Sequence, residues 1–441
     1  MECGSNNECP SGPSRSSSNG RGDEDDLDLL ARVIMESNRY MLGSLGGFSE
    51  QRHKDFDKVL KVLSTLRGGR GGYINMDELR EECLLTGVGL GGPSLRSVVW
   101  KLLLGYLPQR SGDWDATLAE LRGNYLNERV GFVHDTVVAR ESAIEVARRS
   151  LAREGQPPQT EDVIEVQRLL DQINKDVYRT RPELVWLDDD RMRAMARGDG
   201  TMVIDIVHPT THFDRMGRIL FVYATLNPGL GYVQGMHELL AVMYLLFCQD
   251  HVLRSETDSS CAAELAEADA FYCLTNLMAQ HHRDMFLRQL DRSDAGIAGT
   301  LQRFDAVLWV IDQEVYTHLA KEEVSADNFA FRWFTLLLSQ EFESLQDVWR
   351  LWDCILTDLY RRRARVSNPH KTGHVAIIYY ICAAMVELVR AVLLAGDFAV
   401  ILRTLQHYPP FRVEEIISLA IELRGNRILS RHLEESAEDT V

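Results

Sequence analysis

What the chain lacks bounds it first. Its 441 residues include eight cysteines, Cys3, Cys9, Cys83, Cys248, Cys261, Cys273, Cys354 and Cys382, yet no two form a C-x-x-C pair. Their scatter, several of them inside apolar helical stretches, favours buried free thiols in a reducing compartment over a disulfide framework. No hydrophobic signal segment opens the chain. The longest apolar runs, Leu239–Cys248 and Val375–Val386, fall short of the roughly 18–20 residues that span a bilayer. These absences lead us to expect a soluble, cytosolic protein. Positive charge is also in deficit, with a formal net charge of −17. That excludes a general nucleic-acid binder, because phosphate binding needs a basic excess. It leaves room for a local basic pocket.

The signatures of common enzyme chemistry are missing too. There is no G-x-x-x-x-G-K-[ST] phosphate loop and no G-x-S-x-G elbow, so nothing points to a nucleotide of the chain's own. His237-Glu238-Leu239-Leu240-Ala241 begins like H-E-x-x-H, but Ala241 stands where the second zinc ligand would be. His281 and His282 are adjacent and cannot face one metal from one helix, so they read as a surface pair. Gly87, Gly89 and Gly92 form a G-x-G-x-x-G, but helix-forming Met76–Glu82 precedes it instead of a strand. A glycine helix cap followed by Pro93 near the next N-terminus explains it better. Arg67–Gly72 holds two RGG units, too few for an RNA-binding tract, and reads as a flexible connector. No fixed-period repeat is present.

What is there is a chain of ordinary globular composition, 45% hydrophobic and 26% charged, dominated by helical periodicity. Residues 1–25 are polar and are expected to be a disordered tail. Residues 26–66 carry two helical stripes, and 67–73 form a Gly-rich linker. Leu95–Tyr106 places Leu95, Val98, Val99, Leu102, Leu103 and Tyr106 on one face, and Val163–Tyr178 does the same with Val163, Val166, Leu169, Leu170, Ile173 and Val177. Arg215–Leu226 and Met236–Phe247 flank a breaker-rich loop. Further helices are expected near 267–289, 298–320, 327–339, 344–358, 371–394, 397–406 and 412–424. Val203–Val207 is the single β-like stretch. The fold class is all-α, and 429–441 reads as an acidic, frayed tail.

Three pieces carry candidate chemistry. In Arg96-Ser97-Val98-Val99-Trp100, the i, i+4 spacing puts Arg96 and Trp100 on one side of a helix. In Ile173–Pro182, Ile173 and Val177 face the core and Asp176 neighbours Arg179 at i, i+3. Pro182 disfavours helix at Arg181, so the helix should end near Arg179. In Asn227–Met236, three glycines and a proline place Tyr232 and Gln234 on a tight loop between helices. Taken singly, each has an ordinary structural explanation: an amphipathic helix with one large anchor, a local ion pair, an interhelix turn.

Together and in order, the three resemble the signature motifs of the TBC domain, R-x-x-x-W, I-x-x-D-x-x-R and Y-x-Q-G-M. The resemblance runs from about Ile74 to about Leu423 and includes Leu95–Pro108, Arg218–Met236, Ala266–Met278, Phe329–Phe342 and Val348–Leu356. The stretch from Ala330-Phe331-Arg332-Trp333 to Ser339-Gln340-Glu341-Phe342 is similar to the member-13 subfamily of TBC-domain Rab GTPase-activating proteins.

The resemblance implies a two-lobed, V-shaped helical domain at 74–428, with an N-lobe at about 74–292 and a C-lobe at about 293–428. It implies a GTPase-activating protein for GTP-bound Rab-family small GTPases, acting in vesicle trafficking and meeting membranes only through the Rab. Arg179 matches the arginine finger and Gln234 the glutamine finger. Asp176 and Tyr232 match supporting positions, with Asp176 orienting Arg179. Ile173 belongs to the same motif, and Arg96 and Trp100 buttress the site. Mg²⁺ and GTP arrive on the partner, so no cofactor belongs to this chain. The alternative is a catalytically silent Rab-binding or scaffolding module, whose usual mark, loss of Arg179 or Gln234, is absent. His237 departs from the Asn common in the family. Residues 183–211 look like an insertion between the fingers, and 127–162 lengthen the gap between the first two motifs.

Overall fold

The computed structural model describes residues 72–88, 92–133, 135–136, 161–181, 204–254, 259–287, 296–359 and 375–425, with isolated positions 62, 65, 66 and 293. The expected N-terminal tail, the 183–203 part of the expected insertion, the middle of 127–162 and the acidic C-terminal stretch lie outside the described residues. So do all but a few positions of the N-terminal helical segment and the glycine-rich linker. Among the described residues no strand occurs, and the one β contact is an isolated bridge between Tyr73 and Arg110. At 204–207 the Asp205 carboxylate accepts the Val207 and His208 N–H groups, at 3.1 and 2.8 Å. That side-chain turn competes with strand pairing.

Capping chemistry sets the helix ends. α1 (Met76–Thr86) starts at Asn75, whose side chain accepts the Asp77 and Glu78 N–H groups, and ends at Gly87, φ 69°. α2 (Gly92–Leu103) follows, then α3 (Trp114–Asn124), extended by a wider turn at Tyr125–Arg129. α4 (Glu161–Val177) is strongly amphipathic. α5 (His212–Leu226) opens with a capping box between Thr211 and Asp214. α6 (Met236–Arg254) is fully buried from Leu239 to Phe247, which is why its sequence is apolar on every side. α7 (Ser259–Leu277) leads through Met278–His282 into α8 (Arg283–Phe286).

The second set comprises α9 (Ile297–Ile311), α10 (Gln313–Lys321), α11 (Ala326–Thr335), α12 (Leu345–Leu359), α13 (Ile377–Leu388), α14 (Arg390–Ala395), α15 (Phe398–Gln406) and α16 (Val413–Gly425). α6 packs on α2, α5 and α7, whereas α13 packs on α9 and α16. α12 touches both sets, meeting α1, α2 and α6 on one side and α13 and α16 on the other. Its indoles anchor it: Trp349 Nε1 donates to the Val242 carbonyl at 2.9 Å, and Trp352 Nε1 to the Leu337 carbonyl at 3.0 Å. No helix among the described residues is long and apolar enough to cross a membrane. Cys83, Cys248, Cys273, Cys354 and Cys382 are buried free thiols, as expected.

Several expectations need correction. The stretch 298–320 is two helices, because Asp312 closes α9 and its carboxylate caps α10 through the Val315 N–H at 2.9 Å. The stretch 371–394 divides at Val389, whose ψ of 9° breaks the hydrogen-bond ladder. The stretch 327–339 stops at Thr335, since Leu337 and Leu338 adopt φ of 49° and 61°. His282 is not at the surface. It is buried and donates Nε2–H to the Thr335 carbonyl at 2.6 Å. Burial lowers its pKa to about 4, against the opposing pull of that bond.

Candidate functional site

α4 has two faces. Ile173 and Val177 are fully buried, and Val166, Leu169 and Leu170 pack beside them on the core. The opposite face presents Arg168, Asp171, Gln172 and Lys175 at i, i+3, i+4 and i+7. These four line an open cavity of about 390 Å³ together with Asp176, Arg179 and Gln234. α4 ends in a tightened turn in which the Arg179 N–H donates to the Asp176 carbonyl and the Thr180 N–H to the Val177 carbonyl. Arg179 is left exposed at the helix end. Its guanidinium makes no hydrogen bond or ion pair among the described residues.

The second wall comes from the loop between α5 and α6. Asn227 closes α5, donating its side-chain amide to the Tyr223 carbonyl at 2.8 Å and accepting the Gly231 N–H at 2.7 Å. The chain then runs through Gly231, φ 66°, to Gly235, φ 105°. Between them Tyr232 turns inward and is buried, and Gln234 turns outward, its amide making no hydrogen bond among the described residues. The Tyr232 hydroxyl donates to Asp176 Oδ2 at 2.9 Å, which ties the Gln234 loop to the last turn of α4. Burial and the Asp176 charge both push the phenol's pKa up, so it stays a donor.

This changes the expected role of Asp176. Its carboxylate is engaged by Tyr232 and does not hold the Arg179 side chain. It fixes the two chain segments to each other. Arg96 and Trp100 also lie elsewhere, not on the cavity. Arg96 donates through Nε and Nη2 to Asp353, both at 3.0 Å, and Trp100 Nε1 donates to the same carboxylate at 2.9 Å. The Val88 N–H completes the set at 3.1 Å. The first motif thus binds α2 to α12, while Ile173 is a core residue under the arginine turn.

Beneath the site lies the turn that follows α11. Arg181, buried at φ 45°, donates Nη1 to the Ser339 carbonyl at 2.6 Å and Nη2 to the Glu343 carbonyl at 3.2 Å. Leu336 of the same turn sits against Gly235, where an added Cβ would meet its Cδ2 at 2.8 Å. One turn therefore supports the chain beside both Arg179 and Gln234. Gly235→Ala is expected to cost about 1–3 kcal/mol, from the steric contact together with the left-handed backbone. Thermal unfolding of the variant checks this, and an unchanged melting curve would show that the loop has slack.

Sequence reasoning named Arg181 and His237 without finding their partners, and it missed two buried carboxylates in the core. Glu267 accepts from Arg218 at 2.6 Å, Arg215 at 3.1 Å and the Tyr125 hydroxyl at 2.8 Å. Asp269 is met by Lys101 at 2.6 Å, Arg122, His251 and Tyr106. Burial alone would raise the Asp269 pKa, but Lys101 and Arg122 outweigh it and hold it well below the usual range. The available signal was Ala266-Glu267-Ala268-Asp269-Ala270, two acids among alanines inside an apolar helix. Such acids are seldom buried unless paired.

Comparison with known proteins gives a consistent picture. The Rab-GTPase-TBC domain family model matches residues 208–394. TBC1 domain family member 13 of Mus musculus is 32% identical over 434 residues, spanning 87% of this chain and 100% of that protein. Its Homo sapiens counterpart is 31% identical with the same coverage. TBC1 domain family member 22A of Mus musculus is 28% identical over 83% of this chain and 58% of that protein. Among solved structures, the Ypt/Rab-GAP domain of Gyp1p matches with a TM-score of 0.57 at 23% identity, covering 84% of this chain and 97% of that one. That match is a likeness of fold.

Proposed function

Because the chain belongs to the Rab-GTPase-TBC domain family, we propose that it accelerates GTP hydrolysis by a Rab-type small GTPase, supplying Arg179 and Gln234 to the partner's active site. The observation that carries this reading is the shared cavity. Two side chains from distant segments, both exposed and both without a hydrogen bond among the described residues, line one open surface. Structural residues are normally engaged with their surroundings, as Arg96, Arg181 and Arg218 are here. Uncommitted polar groups on a rigid scaffold suit a site completed by another molecule.

The chemistry fits the partner. GTP hydrolysis spreads negative charge over the transferring phosphoryl group, and catalysis is mostly positioning and charge stabilisation. Arg179 brings a planar, multi-donor guanidinium, exposed at the end of α4. Gln234 brings an amide that can donate and accept at once, which is what orienting an attacking water requires. Mg²⁺ and GTP enter with the GTPase. Arg168 and Lys175 place further positive charge on the cavity of a chain whose net charge is −17, favouring approach of a phosphate-bearing face.

The test is a GTP-hydrolysis assay over a panel of GTP-loaded Rab proteins. Wild type should stimulate at least one, and Gln234→Ala should lower that stimulation about 10²–10³-fold, the usual cost of one preorganised transition-state donor. If no Rab responds, the activating role is wrong, and binding of the GTP-loaded Rab would then mark a silent module.

A further inference from the structure

Gln234 lies between two groups that converge on one ring. His237 Nδ1 is 3.0 Å from the Tyr232 hydroxyl, two residues before Gln234. The same nitrogen accepts the Gly235 N–H, one residue after it, at 3.3 Å. The ring is buried, and its Nε2 faces the Glu238 carboxylate at 3.5 Å. Tyr232 donates onward to Asp176, three residues before Arg179. An unbroken polar line therefore runs from the end of α4 through Asp176, Tyr232 and His237 to the amide of Gly235.

We propose that His237 is a positioning residue that latches the Gln234 loop and, through Tyr232 and Asp176, keeps it in register with the Arg179 turn. The inference rests on the reading of Arg179 and Gln234 given above. Proton counting gives the latch its chemistry. A nitrogen without a proton can accept the Gly235 N–H; a protonated one can only donate, here to the Tyr232 oxygen. With Nδ1 unprotonated the ring takes the Gly235 N–H, and the single Tyr232 hydroxyl proton lies between two acceptors, Asp176 Oδ2 at 2.9 Å and His237 Nδ1 at 3.0 Å, so the phenol bridges the loop to α4. The ring's polar neighbours are the Tyr232 hydroxyl from the loop and the Glu238 carboxylate from α6, with Asp176 of α4 beyond Tyr232.

His237→Asn is the informative replacement. The asparagine Oδ1 stands the same number of bonds from Cα as Nδ1 and accepts the same N–H. His237→Ala removes the acceptor altogether. Amide hydrogen exchange of the full chain, followed over residues 227–238, reads the loop directly. His237→Ala should speed exchange there roughly tenfold, the scale of one lost hydrogen bond, with the rest of the chain unchanged. His237→Asn should stay near wild type. With a responding Rab, kcat of His237→Ala should fall roughly tenfold at nearly constant KM, and asparagine should restore most of it. Unchanged exchange in His237→Ala, or asparagine as exposed as alanine, overturns the latch. So does a kcat indifferent to alanine. If alanine unfolds the chain, His237→Gln, whose amide reaches one bond too far, takes its place with the same expected loss. Exchange that behaves as expected in a protein stimulating no Rab leaves the latch standing and removes the finger reading instead.

Discussion

Arg179→Ala is expected to lower the hydrolysis rate of a responsive Rab by about 10³–10⁵-fold at saturating protein, the range for an arginine supplied in trans. That corresponds to roughly 4–7 kcal/mol of barrier. The size of the effect follows from the geometry. The guanidinium is exposed and spends nothing on its own fold, so its interaction energy is available to the transition state. For the same reason the variant should keep its stability to within about 0.5 kcal/mol. Affinity for the GTP-loaded Rab should change far less than kcat, because the charge Arg179 meets develops only in the transition state. Arg179→Lys should recover little, since a point charge lacks the planar, multi-donor fork. Equal stimulation by wild type and Arg179→Ala would remove the assignment. Arg181, the neighbouring arginine, could not step in without leaving the carbonyls of Ser339, Phe342 and Glu343.

Asp353→Ala should produce the largest loss of stability, about 3–5 kcal/mol, the cost of leaving a buried charge without its partner. Asp353 is completely buried and takes Arg96, Trp100 and the Val88 amide at once. Its removal strands a guanidinium, an indole N–H and a backbone N–H in the seam where α12 meets α1 and α2. A fall in Tm of about 3–7 °C is expected. The double change Arg96→Met with Asp353→Leu should recover part of the loss, because apolar replacement of both charges removes the desolvation cost. Recovery should stay incomplete while Trp100 Nε1 and the Val88 N–H lack an acceptor. If Asp353→Ala melts like wild type, the carboxylate does not join the two sets of helices as its bonds indicate.

The divide between what was legible and what was not follows the range of the interactions. Helical class was readable because a 3.6-residue apolar period reports burial of one face, as in α4, whatever that face packs against. The breaks at Asp312 and Val389 were missed because the apolar pattern on each side stays in phase across them. His282 was misread because adjacent histidines carry no sign of the Thr335 carbonyl that receives one of them. The candidate pair Arg179 and Gln234 came from motif order, and neither residue's surroundings could be read locally.

By itself the sequence determined the all-α class, the family resemblance and the identity of the residues offered as fingers, because these depend on residue type and spacing along the chain. Only the tertiary structure decided what each polar residue is bonded to. It joined Arg96 and Trp100 to Asp353 and Arg181 to the turn after α11. It turned Asp176 from a partner of Arg179 into a tie to Tyr232, and it brought His237 onto both sides of Gln234. The reason is physical: a buried charge or N–H must find a partner wherever the fold supplies one. Here those partners came from α12, from the turn after α11 and from the loop after α5, segments that no local pattern at the first, second or third motif could foretell.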